Sequence, residues 1–204
     1  MNTIKPADLK KVHANHPGFV PVNCQNWREY PYHPEVQFRI GCNGQAIELQ
    51  FNVREKYIRA TVTEINGPVH QDSCVEFFIS PLADGNYYNF EFNCIGVPHA
   101  GYGPDRHHRQ KLPVEVIQQI TTFSTLGNQA FDEKTGDFSW ELKVEIPISC
   151  FVHDPMRTLS GRHARANFYK CGDALAEAHF LSWSPVKTEQ PDFHQYPFFG
   201  ELIL

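Results

Sequence analysis

Apolar and polar residues alternate with a period of two along most of this chain, and helical periodicity is nearly missing. AIELQFNV (46–53) puts Ile47, Leu49, Phe51 and Val53 on one face. FSWELKVEI (138–146) puts Phe138, Trp140, Leu142, Val144 and Ile146 on one face and Ser139, Glu141, Lys143 and Glu145 on the other. Successive strand side chains point to opposite faces, so such a segment reads as a half-buried antiparallel strand. VQFRI (36–40), YIRATVTE (57–64), VEVIQQITTF (114–123), ANFYKCG (166–172) and FGELIL (199–204) read as further strands. Arg54-Glu55-Lys56 reads as a hairpin link and residues 132–137 as a turn. Short helical turns are expected at 5–12 and 147–151. Many short strands between Pro- and Gly-bearing turns predict an all-β chain, an antiparallel jelly-roll-like β-sandwich with few short helices. Without linker, low-complexity segment or internal repeat, residues 1–204 read as one domain.

Composition narrows the function classes. An apolar content of 41% and a charged content of 20% suit a globular protein. A net charge of −5 without a basic stripe argues against a nucleic-acid partner. No apolar run approaches the ~18 residues of a membrane span, and the N-terminus lacks a signal-like apolar core. The expected location is cytoplasmic, or secreted with its signal removed. The six cysteines are widely spaced, with no CxxC; most read as small buried apolar residues rather than a zinc signature or a disulfide framework.

The stretch CVEFFISPLADGNYYNFEFNCIG (74–96) raises a sharper question. Residues 81–86 hold turn formers, so the two runs form a hairpin. With Val75, Phe77, Ile79, Phe90 and Phe92 turned to the core, Glu76 and Glu91 share the opposite face, and pairing Phe77 with Phe90 sets the two acids opposite each other. Like charges directly opposed across a ladder repel. An arginine, a cation, a shared proton or a polar ligand must relieve them. Asn89 and Asn93 flank Glu91 and extend a row of hydrogen-bonding groups. Carboxylates and amides beside aromatic rings suit sugar hydroxyls and pyranose faces. The same pattern also fits a solvated outer face with Glu76 paired to an arginine.

Four segments in order carry a resemblance: Val75–Pro81 (VEFFISP) with Tyr88–Asn93 (YNFEFN) and Gly96; Arg165–Lys170 (RANFYK); Trp183-Ser184-Pro185; and Phe193-His194 through Phe199-Gly200. From roughly residue 35 onward the chain resembles the carbohydrate-binding module family 9-like domains. The resemblance implies a β-sandwich related to the DOMON domains. It implies non-catalytic binding of a mono- or oligosaccharide derived from plant or other polysaccharides, accessory to their degradation, with a separately encoded glycoside hydrolase as partner. In that family two tryptophans clamp a terminal sugar. Trp183 matches one clamp position; no tryptophan precedes the Val75-Glu76 strand, where His70, or Tyr102 from the next loop, is the candidate ring. Glu76 matches the family's VE strand. Some relatives hold structural calcium, for which Asp72 and Asp84 are the acidic candidates here.

Other features are weighed beside this reading. Trp140 and Trp27 read as packing residues. The loop 98–109 offers Tyr102 for stacking and Arg106 for hydroxyls, or is simply solvated. Eleven histidines form no HxH or HExxH pattern. A glycoside hydrolase using Glu76 and Glu91 is the alternative, for which the carboxyls would lie about 5–5.5 Å apart if retaining or about 6.5–9.5 Å if inverting. A haem domain would need axial ligands, and Met1 and Met156 have no ligand context. The ligand set expected from sequence is therefore Glu76, Glu91, Asn89, Asn93, Tyr102, Arg106, Trp183 and His70.

Overall fold

A computed structural model describes residues 9–204. In chain order its strands are β1 (Lys11–His13), β2 (Val20–Pro21), β3 (Cys24–Gln25), β4 (Glu35–Cys42), β5 (Ala46–Ala60), β6 (Cys74–Ser80), β7 (Tyr87–Asn93), β8 (Pro98–Gly103), β9 (Gln110–Lys111), β10 (Thr121–Ser124), β11 (Phe131–Pro147), β12 (His163–Cys171), β13 (Phe180–Ser182) and β14 (Gly200–Ile203), with one short helix α1 (Val114–Ile117) between β9 and β10. Two sheets pack face to face. The first has the order β1-β14-β12-β6-β7-β8-β9, with β13 and β3 attached beside β12; the second has the order β10-β11-β5-β4-β2. Pairing is antiparallel except between β1 and β14. The fold is the β-sandwich that the alternating runs predict.

The alternating apolar faces meet between the sheets. Phe38 of β4 stacks on Phe168 of β12 at 3.5 Å, and Phe168 stacks on Phe77 of β6 at 4.9 Å. Trp183 sits edge-on to Phe38 and Phe168 at 6.0 and 5.7 Å, inside this core. Gly200 makes room for that indole: a Cβ there would lie 2.5 Å from Trp183 Cζ3. Each fully buried side chain of this size stabilises the sandwich by about 1.5–3 kcal/mol through apolar area removed from water.

Four local expectations are corrected. Residues 54–56 are not a link, because β5 runs unbroken from Ala46 to Ala60. The inward parity changes within it, from Val53 and Glu55 to Ile58 and Ala60, opposite register shifts in β11. A bulge resets the alternation, so a strict period-two reading takes it for a break. The same shifts carry β11 through residues 132–137, expected to be a turn. Residues 114–123 divide into α1 and β10; Pro113, lacking an N–H and fixed in φ, opens the helix. Of the helical turn expected at 5–12, residues 5–8 lie outside the described residues and Lys11–His13 is strand. Residues 148–150 do form a 3₁₀ turn. All six cysteines are free thiols, and all but Cys24 are buried. Among the described residues no helix is long and apolar enough to cross a membrane.

A buried ion pair joins the sheets. Lys170 Nζ lies 2.9 Å from Glu55 Oε2, both side chains sealed from solvent. Trp140 Nε1 donates to Glu55 Oε1 at 2.8 Å, and His179 Nε2 lies 2.7 Å from Lys170 Nζ. The ammonium is obligately a donor, so that imidazole nitrogen accepts. Burial first, and then the lysine charge, push the His179 pKa well below its ordinary value.

Candidate functional site

Strands β6 and β7 are buried on both faces, which two packed sheets alone would not produce. The outer face is covered by Trp27 and by apolar residues of the stretch 186–199, which form a second apolar cluster with Cys74, Phe78, Tyr87, Tyr169 and Cys171. Contacts between distant segments anchor the cover. Asn167 Nδ2 donates to Ser184 O at 3.0 Å and its Oδ1 accepts from Ser184 N at 2.9 Å. Trp27 Nε1 donates to Thr188 O at 3.0 Å, and Phe193 stacks on Tyr169 at 4.1 Å. The cover leaves a cavity of about 650 Å³ against the sheet, lined by Tyr30, His70, Glu76, Asn89, Glu91, His99, Arg106, Cys171, Asp173, Phe180 and residues 190–194.

The floor is a row across the sheet. Tyr169 pairs with Glu76, Glu76 with Glu91, and Glu91 with His99. The register read from the sequence is the observed one, with Phe77 opposite Phe90. The acids are nonetheless not on a solvated face: Glu76 is 3% and Glu91 6% exposed. Asn89 Nδ2 donates to Glu91 Oε1 at 2.7 Å. Cys171 Sγ donates to Glu76 Oε1 at 3.1 Å. Burial first, and then the Glu91 charge across the ladder, hold the Glu76 carboxyl well above the usual carboxylate range, against a smaller opposing pull from Cys171. A proton on Glu76 therefore relieves the opposition between the two acids.

Arg109 ties the loop after β8 to this floor. Its Nη2 donates to Asn89 Oδ1, its Nη1 donates to Asp105 O at 3.1 Å, and its guanidinium lies over the Tyr87 ring. His194 Nδ1 stands 3.2 Å from Arg109 Nη1 and 3.0 Å from the Tyr87 hydroxyl. Burial, reinforced by the Arg109 charge, pushes the His194 pKa down to about 2, so this ring is neutral. Gly101, the Cα partner of Asn89, leaves room for these groups: a Cβ there would lie 2.9 Å from Asn89 Oδ1.

The structure brings five of the sequence-predicted residues together at the cavity: Glu76, Glu91, Asn89, Arg106 and His70. Arg106 stands at the rim, with Nε 3.6 Å from Asp192 Oδ1. His70 lies on a 3₁₀ turn, Val69–Gln71, and its carbonyl accepts from Asp173 N at 3.0 Å, which sets both residues at one end of the cavity. Three residues stand elsewhere. Trp183 is 1% exposed within the sandwich core and offers no face to a ligand. Tyr102 points to the other side of its strand, stacked on His153 at 4.4 Å. Asn93 is a buried tie, donating to Val62 O at 2.8 Å and to Asp72 Oδ2 at 3.0 Å.

Asp72 and Asp84 do not converge, since they lie beyond opposite ends of β6. The Asp72 carboxylate accepts from Thr61 N, Thr61 Oγ1, Val62 N and Asn93 Nδ2 and pairs with Arg59 at 3.4 Å, so its oxygens are already occupied. Met156 packs against the edge of the core, and Met1 lies outside the described residues.

The sequence model of carbohydrate-binding family 9 matches residues 7–204. The chain belongs to carbohydrate-binding family 9. A crystal structure of a proposed carbohydrate-binding protein from Bacteroides uniformis ATCC 8492 is 39% identical to this family 9 chain, covers 95% of it and 98% of its own length, and superposes with a TM-score of 0.92. A family 9 module from Caldicellulosiruptor kristjanssonii, in complex with glucose, is 12% identical, with 95% of each chain covered and a TM-score of 0.59. A complex of a family 9 module from the same organism with cellotriose is 12% identical, with 95% of this chain and 91% of that one covered and a TM-score of 0.54. At that identity these two share the fold. No curated protein sequence matches the chain. None of the matched proteins supports the hydrolase alternative.

Sequence reading missed His99, Arg109, Cys171, Asp173 and the cover residues Asp192 and His194. His99 was recoverable, because extending the β7 pairing to PHAGYG puts it opposite Glu91. Cys171 and Asp173 follow RANFYK, but only the β12–β6 register brings them to the acids.

Proposed function

We propose that this family 9 protein binds a mono- or oligosaccharide, without transforming it, in the cavity over Glu76, Asn89 and Glu91. The observation that carries the reading is the cavity itself: in a chain whose family binds carbohydrate, a covered sheet face keeps a polar floor instead of closing. Asn89 and Glu91 offer a donor and acceptors to paired hydroxyls, and Arg106 with His70 flanks them. Tyr30, Phe180 and Phe193 supply the rings in place of the tryptophan clamp. The relatives that bind glucose and cellotriose make neutral hexoses the first probes. The whole of residues 1–204 acts as one module in this account, serving a separately encoded glycoside hydrolase.

A thermal-shift screen against glucose, cellotriose and a panel of other mono- and oligosaccharides tests it. A sugar that raises the Tm of the parent but not of the Glu91→Gln protein supports the site. A flat panel, with the parent folded, contradicts it.

A further inference from the structure

Cys74 and Cys171 are far apart in sequence but are direct Cα partners across the β6–β12 ladder. Side chains of opposed residues share a face, so the two sulfurs meet on the outer side of the sheet. The Glu76 carboxylate joins them: one donor atom from each of the three residues lies within 4.8 Å of the others. Cys171 and Glu76 reach the cavity wall, while Cys74 is sealed behind them. All three are held by regular strands, so the cluster is prearranged. Asp173, two residues beyond Cys171, lines the same end of the cavity.

Two thiols and a carboxyl are a donor set for a borderline-soft divalent ion, not for calcium or magnesium. A tetrahedral zinc ion with thiolate bonds of about 2.3 Å holds its sulfurs about 3.8 Å apart. Donors within 4.8 Å need to close by at most about 1 Å to reach that spacing. We propose that Cys74, Cys171 and Glu76 form a binding site for a thiophilic divalent cation such as Zn²⁺ or Cd²⁺, entered from the cavity, with Asp173 or a water as the fourth donor. On binding, two metal–sulfur bonds and one metal–oxygen bond to Glu76 replace bonds to the ion's hydration waters, and the fourth position is taken by Asp173 or by one retained water. The two thiol protons, and the carboxyl proton where Glu76 carries one, pass to solvent; no electron is transferred. The site stands independently of sugar binding, because the strand register alone defines its donors.

The test uses the full chain kept reduced. Titration with Cd²⁺ is expected to raise an ultraviolet thiolate-to-metal band that saturates at one equivalent. Cys74→Ser and Cys171→Ser are each expected to weaken binding by more than about 100-fold, beyond the usual loss from an outer-sphere change. Cys24→Ser, whose sulfur hydrogen-bonds Trp183 O at the other side of β13, is expected to keep the full band. X-ray absorption of the zinc-loaded parent needs no variant and is expected to show two sulfur neighbours at about 2.3 Å with oxygen or nitrogen completing the shell. A parent without the band, a band unchanged in both cysteine variants, or a zinc shell without sulfur would overturn the proposal.

Discussion

Glu76 and Glu91 stand directly opposite each other across the β6–β7 ladder, both buried beneath a cover built from the last part of the chain. Two ionised carboxylates so placed repel. Asn89 supplies a donor to Glu91, and Glu76 is held toward its protonated form. The pair thus presents two buried carboxyl groups, one of them hydrogen-bonded to Asn89, to the cavity, which suits hydroxyl ligands.

Asn89 is the tie between Glu91 and Arg109. Asn89→Ala leaves a half-buried guanidinium and the buried Glu91 carboxyl without that partner, at a cost of about 1–3 kcal/mol. Chemical denaturation is expected to show this loss, and sugar-induced thermal shifts are expected to vanish with it. Full stability in Asn89→Ala would mean the bridge contributes nothing.

Trp183 separates stability from binding. It lies in the core, so Trp183→Ala is expected to cost about 3–5 kcal/mol. Protein that still folds is expected to bind sugar with little change, since no face of the indole meets the cavity. Abolished binding in a folded Trp183→Ala protein would place a clamp where the structure has packing.

The Glu55–Lys170 pair predicts an asymmetry. Lys170→Met strands a buried carboxylate and is expected to cost about 3–5 kcal/mol. Replacing both groups, as Glu55→Leu with Lys170→Met, is expected to recover part of this, short of full recovery because Trp140 Nε1 loses its acceptor. Equal stability of the single and double variants would contradict the pairing.

His194 sets a pH dependence. Its folded pKa of about 2 lies below the ordinary histidine value of about 6.5. As pH falls, the unfolded chain takes up this proton first. The contribution is therefore full above about pH 6.5 and is lost as pH falls toward the folded value, by about 1.4 kcal/mol per pH unit. Between pH 7 and about pH 5 the parent Tm is expected to fall more steeply than that of His194→Gln. Parallel curves would show that His194 does not contribute.

The sandwich and the register of the β6–β7 hairpin were legible because burial imposes a period of two and because Phe77 and Phe90 define the inner face. What was not legible has physical causes. Inward parity in β5 changes between Glu55 and Ile58, opposite the bulges of β11, so alternation alone reads a break. Pro113 turns an apolar run into a helix. Trp183, which the resemblance suggested as a clamp, lies in the core, where Gly200 leaves space for it. The cover over β6 and β7 rests on Trp27, Asn167 and Phe193, contacts between distant segments that no local pattern reports. For that reason the acids looked solvent-facing in sequence and are buried in the fold.

The most direct measurement is calorimetric titration of the sugar panel, glucose and cellotriose included, into the parent and into Glu91→Gln. Saturable binding of at least one intact sugar by the parent, weakened or lost in a Glu91→Gln protein of unchanged fold, is the predicted result. Equal binding by both proteins, or none by the folded parent, would contradict a sugar site on the Glu76–Glu91 floor.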